Sequence, residues 1–230
     1  MATNWRETLG LWRSLVMYYG VPGRFSRMRK FYGQFIHQGD LCFDIGAHVG
    51  NRLRVWDALG ARMIAVEPQP ALLRCLQRLF GHNPRVVLVA QAIGAAPGTA
   101  TLHISTRTPT VTTLSQEWIG NVKRDASFSK VEWDQQVSVQ VTTLDALIAE
   151  HGLPVFCKID VEGFEMNVLR GLDFAKTKVY IAIIENNSKS RFGSDDIRKY
   201  MSQNGFSFYA RFWGLDDVYV NNTLKNINEH

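Results

Sequence analysis

The sequence predicts an α/β fold: a mostly parallel sheet flanked by helices, a terminal antiparallel hairpin and an N-terminal helical cap. Three observations predict it. From residue 40 onward, short apolar runs alternate with amphipathic segments, the pattern of parallel strands joined by helical crossovers. A glycine turn in "LCFDIGAHVGNRLRVW", residues 41–56, joins the first apolar run to the first amphipathic segment. At the far end "GFSFYARF" and "DDVYVNN" read as a hairpin.

Taken in order, residues 4–37 have helical spacing, with Trp5, Leu9, Trp12, Leu15, Val16 and Tyr19 on one stripe. Gly20-Val21-Pro22-Gly23 breaks that helix. Strands are expected at 41–45, 62–67, 86–92, 155–160 and 179–185. Helices are expected at 50–59, 70–80, 143–150, 164–170 and 194–204, with Pro70 suited to a first helical position. "GTATLHIS", 98–105, and "VSVQVTTL", 137–144, alternate by two and read as an inserted antiparallel pair. There is no internal repeat, low-complexity tract or linker, so the expected organisation is a basic helical cap, 1–39, on one domain, 40–230.

The chain has 230 residues, 46% of them hydrophobic, enough for a substantial core. No apolar run approaches the roughly 18 residues of a membrane span, and the N-terminus lacks the features of a secretory signal. Cys42, Cys75 and Cys157 are scattered, without metal-ligand or redox spacing, and read as reduced thiols of a cytoplasmic protein. The net charge of +5 is unevenly placed: residues 1–39 hold six basic side chains against Glu7 alone, and the remainder is balanced. That argues against a broad nucleic-acid-binding face. It leaves a solvated helical face, contact with an anionic acceptor, or contact with a membrane surface.

The chemistry is concentrated at strand ends. A dinucleotide loop needs G-x-G-x-x-G, whereas this turn reads Gly46-Ala47-His48-Val49-Gly50 and lacks the third glycine. A Walker loop is excluded, because no Gly-Lys-Ser/Thr follows. Glu67, in "IAVEPQP", ends the second strand beside the turn, where a carboxylate can accept both hydrogens of a ribose diol. In "VFCKIDVEGFEMNVLRGL", Lys158, Asp160, Glu162 and Glu165 crowd the end of a buried strand, and Glu185 ends the next. Carboxylates massed there are costly unless paired, ligand-bound or solvated in a cleft.

"FDIGAHVGN", "AVEPQP", "TLDAL" and "KIDVEGFEMNVLRGL" resemble, in order and spacing, the FkbM family of S-adenosylmethionine-dependent methyltransferases. The resemblance spans roughly residues 40–190. It implies a Rossmann-like class I methyltransferase fold, a seven-stranded sheet with a reversed final hairpin, and O-methylation of a hydroxyl on a sugar or natural product. By the same resemblance Asp44, Gly46, Ala47, His48, Gly50 and Asn51 surround the methionine part of the cofactor. Glu67, followed by Pro68, takes the ribose hydroxyls, and Gln91, Ala92 and Ile93 border the adenine. His48 departs from the family, which more often has Asn there. A cationic sulfonium nucleoside without phosphates has no need of the missing third glycine.

The expected activity is methyl transfer from S-adenosylmethionine to a hydroxyl of a sugar, glycan precursor or natural product, the acceptor being anionic if the basic cap covers it. Asp160 comes first as general base, with Asp160 also near the cofactor, then Glu162 and Glu185, with Lys158 polarising the oxygen. Binding of Mg²⁺ by these acids is the other route to an activated hydroxyl. The rival readings are an oxidoreductase on a degenerate nucleotide-binding sheet and a non-catalytic cofactor-binding protein. Among minor features, His103 is either an acceptor contact or a satisfied structural residue, "TPTVTTLSQEW", 108–118, is a loop over the cleft, and Trp118, Trp133, Phe212 and Trp213 are either stacking platforms or core residues.

Overall fold

A computed structural model of the chain describes residues 5–176, 179, 181–185, 194–212 and 216–222. Two helices come first, α1 (Trp5–Tyr19) and α2 (Arg24–Tyr32). The chain then alternates through β1 (Leu41–Ile45), α3 (Asn51–Ala58), β2 (Arg62–Val66), α4 (Pro70–Phe80) and β3 (Val86–Val89). An insertion follows, containing β4 (Ala92–Ile93), β5 (Gly98–Ile104), α5 (Gln116–Val122) and β6 (Gln135–Thr142). Helix α6 (Leu144–His151) leads into β7 (Phe156–Ile159), α7 (Glu165–Arg170), β8 (Ile181–Glu185) and α8 (Ser194–Gln203). The hairpin of β9 (Phe206–Phe212) and β10 (Asp216–Asn221) closes the fold.

Among the described residues, seven strands form one sheet in the order β3-β2-β1-β7-β8-β10-β9. The first five run parallel, and β10 pairs antiparallel with both β8 and β9. This is the Rossmann-like class I methyltransferase arrangement, a parallel sheet with a reversed terminal hairpin. The strand order turns back between β1 and β7, so the crevice outside their carboxyl ends is where an open α/β sheet binds ligands. The inserted pair is a three-stranded sheet, β4-β6-β5. The apolar run 86–92 divides because its end leaves the main sheet: Ala92 and Ile93 pair with Val141 and Thr142 of β6.

Alternation along the strands sorts the core into two layers. Phe43, Ile45 and Ile159 face one side of the sheet with Val168 and Ile184, while Cys42, Met63 and Phe156 face the other with Trp56. Met28, Tyr32 and Ile36 belong to that second layer. The Tyr32 ring packs edge-on against Trp56 and Phe156 at 5.6 and 5.5 Å. Burial of each such side chain is worth roughly 1.5–3 kcal/mol, which fixes α2 to the domain.

Helix α1 seats the other way round from its sequence stripe. Gly10 and Ser14 are buried, whereas Trp5, Leu9, Trp12 and Val16 face solvent. The reason is close approach: a Cβ at Gly10 would overlap the Thr106 carbonyl oxygen. The small-residue face docks where a bulky one would not fit. The helix is tied down by Tyr19 at its end, whose hydroxyl donates to the Val49 carbonyl at 2.8 Å, and by the Glu7–Arg74 ion pair at 3.4 Å. Among the described residues no helix is long and apolar enough to cross a membrane.

Candidate functional site

The turn after β1 is built for close backbone approach. Gly46 has φ +82°, and a Cβ there would overlap the Asp160 carbonyl oxygen. Gly46 and Ala47 N–H groups both donate to the Val66 carbonyl at 3.0 Å, tying the turn to the end of β2. Gly50 has φ +74°, and a Cβ there would press on Leu76 and Phe80. Its αL conformation starts α3, with Asn51 as first helical residue.

Glu67 leaves β2 beside this turn, and its carboxylate is bound on both oxygens. His48 N–H donates to Oε2 at 2.8 Å and Gln69 N–H to Oε1 at 2.9 Å. Burial nonetheless pushes its pKa up to about 7 against those two bonds. Each oxygen keeps a second lone pair, so a ribose diol can still be accepted.

At the end of β7 a single ammonium organises three acceptors. Lys158 Nζ donates to the Gly46 carbonyl at 2.7 Å and lies 3.1 Å from Asp44 Oδ1 and 3.2 Å from Asp160 Oδ2. Arg52 Nη2 stands 3.9 Å from Asp160 and 3.4 Å from Asp216 of the terminal hairpin. Asp44 and Lys158 are register partners on adjacent strands, both fully buried.

Glu162 follows in a strained turn. Among the described residues, His48 and Glu162 are the two non-glycine residues at positive φ, both +53°. The turn is over-determined: Glu165 Oε1 accepts from the N–H groups of Val161 and Gly163 at 3.1 Å, and Thr113 Oγ1 donates to the Glu162 carbonyl at 2.7 Å. Burial, then the Asp160 and Glu165 charges, hold the Glu162 carboxyl well above the usual carboxylate range. The His48 imidazole is lowered to about 4, by burial first. It lies edge-on to Tyr18 at 5.2 Å, with Nε2 3.4 Å from Ser14 Oγ.

These groups surround a pocket of about 770 Å³ of empty space, partly open to solvent. Of the sequence-expected residues, Gly46, His48, Asn51, Glu67, Pro68, Ala92, Ile93, Asp160 and Glu162 line it. Asp44, Ala47, Gly50, Gln91 and Lys158 do not; Asp44 and Lys158 lie beneath it as an ion pair. Glu185 ends β8 at the same sheet edge, and its side chain lies outside the described residues.

Tyr18, Arg52, Gln69 and Phe164 line the pocket without having been singled out. Arg52 and Gln69 directly follow residues that were, so the turn and strand-end signals reached within one position of them. Tyr18 had no such signal, because nothing in its helix announces which face docks. The threonine-rich loop contributes Thr110, Thr112 and Thr113.

For the minor features packing favours the structural alternatives. His103 is buried and pairs through its backbone with Thr113, away from the lining. Trp118 and Trp133 pack on each other at 6.2 Å, and the Trp133 indole N–H donates to the Val111 carbonyl, so both belong to a local apolar cluster. Trp213 and the Phe212 side chain lie outside the described residues. No group of three His, Cys, Asp or Glu side chains among the described residues converges to hold a metal. The Lys158 and Arg52 cations beside Asp160 suit a divalent ion poorly.

The pocket fits a sulfonium nucleoside. The Gly46 cradle would be filled by any Cβ, Glu67 offers paired acceptors, and the buried Gln69 Oε1 has no protein partner. Leu72, Ala92, Ile93 and Phe164 supply the apolar wall that an adenine ring needs.

The family described as Methyltransferase FkbM domain matches residues 44–208. No curated protein matches the chain. Similar solved structures include a TehB-like S-adenosylmethionine-dependent methyltransferase from Corynebacterium glutamicum, 12% identical, with TM-score 0.48 and coverage of 91% of this chain and 94% of that one. Precorrin-6Y C5,15-methyltransferase from Geobacter metallireducens is 10% identical, with TM-score 0.46 and coverage of 86% and 84%. A Pyrococcus horikoshii protein designated a candidate RNA methyltransferase is 14% identical, with TM-score 0.45 and coverage of 91% and 86%.

Proposed function

The chain belongs to the FkbM family of S-adenosylmethionine-dependent methyltransferases, and from that premise we propose that it methylates a hydroxyl oxygen of a small molecule, such as a sugar, glycan precursor or natural product. The observation that carries this reading is that one pocket holds both the ribose-accepting Glu67 and the acid pair Asp160 and Glu162. A non-catalytic binding protein has no use for the second set.

When bound, S-adenosylmethionine supplies an electrophilic methyl group on a positively charged sulfur. Glu67 holds the ribose diol, the Gly46–Gly50 turn lets the ligand approach the backbone, and Ala92, Ile93 and Phe164 enclose the base. The residues left for the acceptor are Asp160, Glu162, Tyr18 and the hydroxyls of Thr110, Thr112 and Thr113. Holding the two reactants in line is an orientation effect of up to roughly 7–11 kcal/mol.

A hydroxyl attacking that methyl forms an O–C bond as the C–S bond breaks, and its proton must leave. Glu162 is the base in this reading. It lines both the pocket and a neighbouring cleft of about 1280 Å³ of empty space, along which an acceptor can approach. Asp160 is already engaged by Lys158 at 3.2 Å, and its negative charge helps keep the Glu162 proton affinity high. Lys158, buried beneath the pocket, then acts as a positioning residue and not as the group that polarises the acceptor.

The cleft carries Arg13, Arg107 and Lys130 beside Glu132, Asp134 and Glu162, a balanced set of charges that accommodates a small polar acceptor. The charge balance of residues 40–230 supports a small acceptor over nucleic acid. Three buried free thiols suit a reducing cytoplasmic setting. The decisive experiment is calorimetry with S-adenosylhomocysteine, followed by a radiolabelled methyl-transfer screen over hydroxylated acceptors. Binding of NADH with none of S-adenosylhomocysteine would overturn the reading.

A further inference from the structure

We propose that the outer face of α1 docks on an anionic lipid bilayer. At 100° per residue, Trp5, Leu9, Trp12 and Val16 fall within one narrow stripe. That stripe lies opposite the buried Gly10 and Ser14, so it points straight out of the protein. Trp5 is 67% exposed, Trp12 64%, Val16 59% and Leu9 44%. A soluble amphipathic helix would turn this stripe inward; here Gly10 holds it outward through its close approach to Thr106.

Charge selects the occupant. Arg6 and Arg13 flank the stripe on one side and are exposed, and Arg6 lies over the Trp5 ring at 5.6 Å. Residues 1–39 contain the whole surplus of five positive charges on the chain. Two tryptophans on an apolar stripe with arginines alongside are the composition of a helix lying in the lipid headgroup plane. A second copy of the chain fits poorly, because pairing on this face would bring the exposed Arg6 and Arg13 of both copies together. The same helix reaches the pocket with Tyr18 and the rim of the adjoining cleft with Arg13, so docking would set the substrate entrance beside the bilayer. The surface itself is independent of the reaction proposed above.

The test is co-sedimentation of the full chain with phosphatidylcholine vesicles, with and without phosphatidylglycerol. Binding is expected on the anionic vesicles and weak on phosphatidylcholine alone, and it should fall as salt rises. Trp5→Ser/Trp12→Ser should reduce partitioning by more than about tenfold, with thermal midpoint and S-adenosylhomocysteine affinity unchanged because both rings are exposed. Equal partitioning of variant and wild type, or no binding of the wild type to anionic vesicles, would overturn the proposal. So would a dimer that the double substitution dissociates while lipid binding is absent, since the face would then be a self-interface.

Discussion

Lys158 and Asp44 face each other on adjacent parallel strands, with Nζ 3.1 Å from Oδ1 and neither side chain reaching solvent. Burial opposes the lysine's charge, yet the carboxylates of Asp160 and Asp44 together hold its pKa above the ordinary value. The pair therefore links the strand before the glycine turn to the strand before the acids. It is the support on which the pocket is assembled.

Breaking that pair should cost more than removing it. Lys158→Ala leaves Asp44 as an uncompensated buried charge, and about 3–5 kcal/mol of stability should be lost. Asp44→Asn/Lys158→Met removes both charges and should recover part of that loss. Urea denaturation of the three proteins measures it; a Lys158→Ala protein within 1 kcal/mol of wild type would show the pair to be incidental.

Glu67 gives a pH signature to cofactor binding. Its pKa in the free protein is raised to about 7 by burial, and ribose hydroxyls donate best to the ionised form. Affinity for S-adenosylhomocysteine should therefore rise between pH 6 and 8 as Glu67 loses its proton. Glu67→Gln should bind roughly ten- to a hundredfold more weakly and show no slope across that interval. Calorimetry at several pH values separates the two. A wild-type slope that persists in Glu67→Gln would assign the titration elsewhere.

His48 should make the fold acid-sensitive. Its pKa is lowered from 6.5 to about 4 by burial, so the unfolded chain takes up a proton at higher pH than the folded one. Its contribution is fully present above pH 6.5 and is lost as pH falls toward 4, amounting to at most about 3 kcal/mol. Asn tolerates positive φ and does not titrate, so His48→Asn should retain stability in that window. Glu67 and Glu165, both raised to about 7 by burial, have the opposite sign: their ionisation weakens the fold as pH rises from 4.5 to 7. The informative quantity is the difference in melting temperature between wild type and His48→Asn at pH 5 and pH 7.5.

The strands of the main sheet were legible because a buried strand needs apolar residues at a fixed period, and because glycine turns and Pro70 mark the joints, whereas their order in the sheet came from the fold. Glu67 and Asp160 could be located because each immediately follows such a strand. What the chain did not disclose is which face of α1 docks. The Trp5–Val16 stripe has the period of a buried face, and the steric allowance of Gly10 overrides it. Nor did alternation separate pocket from support: Lys158 and Asp160 point to the same side, but only the folded register shows Asp44 waiting beneath the lysine.

The same register bears on the choice of base. Sequence placed Asp160 first, but in the fold its carboxylate is 3.2 Å from Lys158, whereas Glu162 sits at the junction of pocket and cleft. Burial, then the Asp160 charge, raises the proton affinity of Glu162, which brings its carboxylate closer to the strength a hydroxyl's proton requires. Glu162→Gln should lower turnover of a confirmed acceptor by about 10²–10⁴-fold while binding S-adenosylhomocysteine normally. Asp160→Asn removes one of the charges that hold the proton on Glu162, so the acidic limb of the pH–rate profile should move to lower pH and remain visible. If Asp160 were the base, that limb would disappear in Asp160→Asn and turnover would fall as far as in Glu162→Gln. The two profiles, measured on the same acceptor, distinguish a carboxylate that takes the proton from one that tunes its neighbour.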